Sequence, residues 1–491
     1  MSTFRIPLTS ELQSRAGLLS TDSRTTNVVF EDSSGQPAIF KRPGVANLHS
    51  IVAVTAPAFL QSQGLFSWQG QALSVINNVL NRTTVASQIY ATTLVANLSA
   101  STSQSYAIKT FLDAYLFLHN KVTGYLVSPT FVVTTPASLP VGPYVSGTVY
   151  LDNYVFIGIA ANNRIYNSNL GDPTTWGALS YLSFEQTTDT LVAIAKHLNY
   201  LVAFGKYSMQ FFYDAGNATG SPLAVAASYT QEIGCANGDS IVSTDNVMIW
   251  IGLTKTNGKS IYLMDGTTES VISTPDISRI LELDGLSRVS SYAYKFAGHN
   301  MYLLYLATSK ITLAYDITTK KWHQWTSWAV ASSDQPNSNT SYESYYRHTF
   351  FAEVGGIGFT LDDHVATLGR VNTAFNSDSS GPIYARVVTP ILDHQSTKRK
   401  FYSSTQYIGD TTVGGVLQIR YTKNDYTTYS TFRNLDISTN RPQIYQCGFS
   451  RRRAWEFLCT TDTPFRMQAV EIEVRIGEMG QEHGECWELF S

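Results

Sequence analysis

Three adjacent side chains, Asp362, Asp363 and His364, have the donor chemistry of a metal site. Neighbours on a strand alternate faces and cannot all reach one ion, so a solvated turn is the expectation. Gly355-Gly356-Ile357-Gly358 is too short to cradle a phosphate and reads as a hairpin turn. The nine histidines show no paired spacing, and Asp393-His394 has no evident third member. HExxH, GxSxG, P-loop and dinucleotide-binding patterns are missing from the sequence. Carboxylates fall mostly at turns, so no glycosidase pair can be assigned. Cys235, Cys447, Cys459 and Cys486 are scattered without a CxxC and read as small buried hydrophobes in a reducing compartment. The expectation is a chain without catalytic, cofactor-binding or metal-binding residues.

Two basic triplets remain. Arg451-Arg452-Arg453 precedes Ala454-Trp455-Glu456-Phe457 and looks like a charged turn feeding an aromatic strand; Lys398-Arg399-Lys400 is the other. Such a turn either contacts an acidic surface or DNA phosphates, or is a solvated strand end. The net charge of −3 gives no global basic field to favour nucleic acid, although local patches can differ from the total.

The elements that must carry these residues are announced by a repeat. Leu151–Gly158 reads Leu-Asp-Asn-Tyr-Val-Phe-Ile-Gly, and related phrases run over 198–205, 245–252 and 298–305. Weaker copies start at Gly70, Asp113 and Gly355. With Gly70, Asp113, Asn153, Asn199, Asn246, Asn300 and Gly355 as markers, the steps are 43, 40, 46, 47, 54 and 55 residues. Asn and Asp suit tight hairpin turns, and the apolar run that follows suits a strand buried on both faces. A period of this length with several short strands signals an all-β protein containing a β-propeller, because one blade cannot bury both faces alone. Six blades are favoured and seven remain possible, with the first and last segments sharing a blade. Tryptophans near the blade corners are expected to pack between blades.

The 491 residues allow two or three domains, and 14% charge with 12% aromatics fits β architecture. Residues 1–50 read as a polar extended arm entering the first blade, 51–372 as the propeller and 373–382 as a Ser-, Asp- and Gly-rich linker. Residues 383–491 alternate polar and apolar and read as a β-sandwich-like domain. A polar insertion at 331–347 is expected to project. The N-terminus lacks a secretory core and no run approaches 18 apolar residues, so a soluble protein made in a cytoplasm, without a membrane-spanning segment, is expected.

Several stretches together resemble the tail hub or nozzle proteins of short-tailed bacteriophages, the packaged-DNA stabilization family. They are Asp22-Ser23-Arg24-Thr25-Thr26-Asn27 with Lys41-Arg42-Pro43-Gly44, then Asn169–Trp176, Gly205–Tyr213, Gly220-Ser221-Pro222 and Gln231–Ala236. Their order extends over nearly the full length. The resemblance implies a structural virion protein in the tail, made in the bacterial host's cytoplasm, and not an enzyme. It implies a homo-oligomer, a sixfold ring below the portal and adaptor. That ring would extend the DNA channel, retain packaged double-stranded DNA without sequence-specific binding, and dock fibres or spikes and a plug or needle. Arg24, Asn27, Lys41, Arg42, Pro43, Gly44, Arg451, Arg452 and Arg453 are the candidate interface residues. The alternative is a propeller-based receptor- or glycan-binding, possibly depolymerising, tail component.

Overall fold

In a computed structural model the described residues are 2–8, 24–33, 36–51, 62–86, 89–185, 189–217, 219–327, 345–363, 367–378 and 381–477. His364, Cys486 and most of the 331–347 insertion lie outside them. The chain divides into two compact units, one of residues 45–313 and 344–372, the other of residues 1–44, 314–343 and 373–491.

The first unit is the β-propeller. Its first five blades are successive runs of chain: Ser62–Trp68 to Ile89–Asn97, Tyr106–Lys109 to Val133–Thr134, Val149–Leu151 to Asp172–Ser183, Leu191–His197 to Leu223–Val225, and Gly234–Cys235 to Thr268–Val271. A sixth opens with the hairpin Val289–Phe296/His299–Leu306. The Gly355 marker lies on a closing sheet of His348–Val354, Ile357–Asp362 and Thr367–Asn372, completed by Gly44–Ser50 from the start of the chain. The Gly70 and Gly355 markers thus lie on separate sheets, and the strand that joins the last one is the end of the segment read as an arm. The inner strands stand side by side around the axis, and His348–Val354 lies against both Val289–Phe296 and Ser62–Trp68, which closes the ring.

Apart from Asn300, which lies in the strand His299–Leu306, the markers fall on turns between the first and second strands of the sheets. Gln69-Gly70, Asp152-Asn153, Ala297-Gly298 and Gly355-Gly356 each pair two positive φ values, the geometry of a type I′ turn that matches the strands' twist. The apolar runs after them are buried: Val155, Phe156 and Ile157, then Leu201 to Phe204, then Met248 to Ile251. They fill the seams between blades. Phe117 and Leu126 of the second blade join Val155, Ile157 and Trp176 of the third. Phe204 and Phe211 of the fourth join Trp250 and Met264 of the fifth. Trp176 is 4% exposed and lies 5.7 Å from the Phe117 ring, so this corner tryptophan is inter-blade packing.

The second unit is a β-sandwich. One sheet runs Val28–Ser33, Gln36–Lys41, Arg466–Ile476, Lys400–Gly409, Gln443–Tyr445, with Ser2–Arg5 also on Arg466–Ile476. The other includes Arg24–Thr26, Ala385–Val388, Ala454–Cys459, Val416–Thr422 and Arg433–Asp436, and Lys321–Trp325 lies parallel to Arg24–Thr26. Ile39, Tyr402, Met467 and Ile472 of the first face Val387, Leu417, Trp455 and Phe457 of the second in one core. The N-terminal segment read as an arm is therefore, where described up to Pro43, part of this sandwich, while Gly44–Ser50 joins the propeller's closing sheet. The segment's polar look misled because several of its polar side chains, among them Asn27, Lys41 and Arg42, are buried with partners. The stretch read as a linker also carries strands: Ser377–Asp378 pairs with Gly381–Pro382, and Asp378 is buried.

Candidate functional site

In the sandwich unit, Asn27 sits at φ 55°, between Arg24–Thr26 and Val28–Ser33. This left-handed position suits Asn, and it aims the amide inward. Its Nδ2 donates to Thr326 Oγ1 (2.8 Å) and Tyr384 O (3.1 Å); its Oδ1 accepts from the Thr326 amide and from Arg42 Nε, both at 2.9 Å. The Arg42 guanidinium forks onto Asp378 (Nη1 to Oδ1 2.9 Å, Nη2 to Oδ2 2.5 Å) and also donates to the carbonyls of Pro43 and Thr326. Both side chains of this pair are enclosed, at 0% and 2% exposure. Lys41 Nζ donates to the carbonyls of Thr461 and Thr463, and burial lowers its pKa. Gly44 donates to Phe375 O, and a Cβ there would collide with the carbonyls of Phe375 and Ser377. Burial, reinforced by Arg386, depresses the Arg24 guanidinium to about 9. Arg24, Asn27, Lys41, Arg42, Pro43 and Gly44 are all buried. They lie inside the fold and not on its exposed surface, where an interface residue was expected.

The triplet Arg451-Arg452-Arg453 separates. Arg453 is fully buried, its guanidinium 3.8 Å from the Tyr402 ring centre and 3.9 Å from that of Tyr421, donating to Cys447 O and Ser450 Oγ. Arg451 and Arg452 are exposed, and Arg452 pairs with Asp425 at 2.8 Å. In the other triplet Lys400 is buried, with Nζ on the carbonyls of Ser396 and Arg451.

Within the propeller, the residues with most chemical character are ones that sequence reasoning missed. Asp239, in the short turn Gly238–Ser240, accepts at one carboxylate oxygen from Tyr106 Oη, from Lys121 Nζ at 2.6 Å and from Ser146 Oγ at 2.8 Å. Its carbonyl accepts from Ser291 Oγ at 2.8 Å. One aspartate thus ties the second, third, fifth and sixth blades together. Burial, then Asp239, drives the Tyr106 hydroxyl well above its ordinary range. His119 Nε2 donates to Gly147 O (3.0 Å) while Nδ1 accepts from the Lys121 amide (3.3 Å), and burial lowers this imidazole to about 4. Beside this knot, a cavity of about 360 Å³ is lined by inner-strand residues including Tyr106, Gly147, Ile194, Lys196 and Ser243. Nothing in the one-dimensional pattern marks Asp239, because the partners of its carboxylate lie 93 to 133 residues away.

Asp362 and Asp363 are each engaged by a cation: Asp362 with Arg347 at 3.1 Å and Asp363 with Arg288 at 3.2 Å. Among the described residues no group of three or more His, Cys, Asp or Glu could hold a metal ion. Cys235, Cys447 and Cys459 are free and buried, as expected.

Residues 61–375 match the profile of a family described as "Bacteriophage P22 Gp10, beta-propeller". The chain belongs to this family. It is the packaged-DNA stabilization family, the tail hub or nozzle proteins of short-tailed phages, so the resemblance read from sequence holds and the chain is a structural phage tail protein. No curated protein matches the chain. Among solved structures, the N-terminal domain of Nup159 has TM-score 0.39 and 11% identity over 72% of this chain and 99% of that one. The computationally designed Ika8 protein has TM-score 0.37 and 13% identity over 70% and 93%. PorZ of Porphyromonas gingivalis has TM-score 0.37 and 9% identity over 73% and 44%. Likenesses this weak carry no argument about function.

Proposed function

We propose that this phage tail protein forms the nozzle or hub: a homo-oligomeric, sixfold ring below the portal and adaptor that extends the DNA channel and retains the packaged genome. The observation that carries this reading is the family match, which spans the propeller. The propeller's physics agrees with a mechanical role. Its seams are continuous apolar packing and its inner strands are cross-tied at Asp239, a build that suits a rigid wall element. A closed ring needs head-to-tail faces, and each subunit then offers outward surfaces to fibres or spikes and an end surface to a plug or needle. Exposed apolar side chains at Phe111, Leu112, Val141, Leu170 and Leu179, from 63% to 88% exposed, are the propeller's candidates for such contacts. Arg451 and Arg452 are the exposed polar candidates in the sandwich.

Immunogold electron microscopy on purified particles, with antibody to this chain, tests the placement. Label between the head vertex and the distal tip of the tail is the expected result. Label confined to the distal tip would favour a receptor-binding component, and unlabelled particles would overturn the reading.

A further inference from the structure

The sandwich carries a concentrated basic face in a chain whose net charge is −3. Three separate segments build it. Lys398, Arg399 and Lys400 lead into the strand Lys400–Gly409; Lys423 follows the strand Val416–Thr422; and Arg451 and Arg452 follow Phe449–Ser450. Phe449 is the centre. It is 43% exposed, with the Arg399 guanidinium 5.0 Å and Lys423 Nζ 5.1 Å from its ring centre, and Phe401 6.1 Å away. Beneath lie Lys400, bonded to the Arg451 carbonyl, and Arg453, stacked on Tyr402 and Tyr421. Arg453 is depressed to about 10 by burial, while Lys423 is lowered by burial and then by Arg453. Among the described residues, Asp425 pairs with Arg452 and Asp393 lies near Lys400. Among the described residues, the cations of these three segments thus gather beside Asp425 and Asp393.

Like charges this close repel one another, and burial of two of them adds a desolvation cost. A polyanion that spans the exposed members offsets the repulsion. We infer that this face binds the phosphate backbone of double-stranded DNA, without reading its sequence. Charge complementarity selects a polyanion. The chemistry is a row of cations on strand ends and turns, which matches repeated phosphates. Exposed Phe449 gives the row an aromatic floor on which the Arg399 and Lys423 stems are held. The inference rests on the reading of the chain as part of the genome's path, but it is tested apart from particle location.

The test is fluorescence anisotropy of the full-length protein with a labelled duplex of about 30 base pairs over a salt series. At low salt, binding with Kd roughly in the micromolar to 100 µM range is expected, weakening steeply with salt. The triple change Lys423→Gln, Arg451→Gln, Arg452→Gln should weaken binding at least tenfold at about 0.1 M salt and reduce the salt slope by about 2 to 3. A matched triple change of exposed lysines elsewhere, Lys206→Gln, Lys255→Gln, Lys320→Gln, should leave both near their original values. Circular dichroism and melting of each variant report that it is folded. Equal losses in the two triple variants, or no binding to duplex, would overturn the inference. So would tighter binding to poly-glutamate than to duplex at equal charge, which would assign the face to an acidic protein. Preference for a single strand of the same length would overturn the duplex assignment. If tail labelling succeeds while duplex binding fails, the nozzle reading stands and this one falls.

Discussion

Arg42 shows how a residue can look like a surface contact and be an internal clamp. A buried ion pair is costly to assemble, yet breaking one by removing a single partner leaves a charge stranded, at a typical cost of about 3–5 kcal/mol. Asp378→Ala should therefore lower stability by roughly that amount in urea unfolding, whereas Arg452→Ala, which breaks the exposed pair with Asp425, should cost about 1 kcal/mol or less. His119 gives a pH signature. Its folded pKa of about 4 lies below the ordinary value near 6.5, so between those values the unfolded chain holds a proton that the fold excludes. Its contribution is complete above about pH 6.5 and is lost as pH falls towards 4. Melting temperature followed across that window should drop, and His119→Gln should flatten the slope. At this scale little was legible in the sequence. Types such as Arg42, Asp239 and Arg453 are visible, but whether they face solvent depends, for Arg42 and Asp239, on partners far along the chain.

Elements were more legible. Asp152-Asn153 and Gly355-Gly356 demanded turns because few other residues accept paired positive φ, and the apolar runs after them demanded burial. The arm was misread for a related reason. Its apolar run Val28-Val29-Phe30 is short and gives way at once to Glu31 and Asp32, so Val28–Ser33 does not announce a strand on its own. Its pairing partner Gln36–Lys41, which in turn pairs with Arg466–Ile476, supplies the reason it is one. Ile39 is 1% exposed in that core. Ile39→Ala should cost about 2–5 kcal/mol in urea unfolding, a loss that a free arm would not show. Gly147→Ala is the corresponding test in the propeller. Its φ of 89° and the Ile194 carbonyl against any added Cβ leave no room, so the variant should melt well below the parent.

For the whole molecule, the period of the markers sufficed for a propeller, because a buried two-faced strand in every period has few other ways to be covered. The placement in a phage tail was not legible from periodicity; it came from the ordered motifs and the family they identify. Everything proposed about function depends on copies of this chain forming a closed ring around the genome's exit. Single-particle cryo-electron microscopy of tails isolated from particles would see that ring or its absence. Six copies of this propeller and sandwich are expected around one axis, below the portal and adaptor, with an open central passage. Copies found only in a spike or fibre away from that axis, or in an assembly without a central passage, would contradict it.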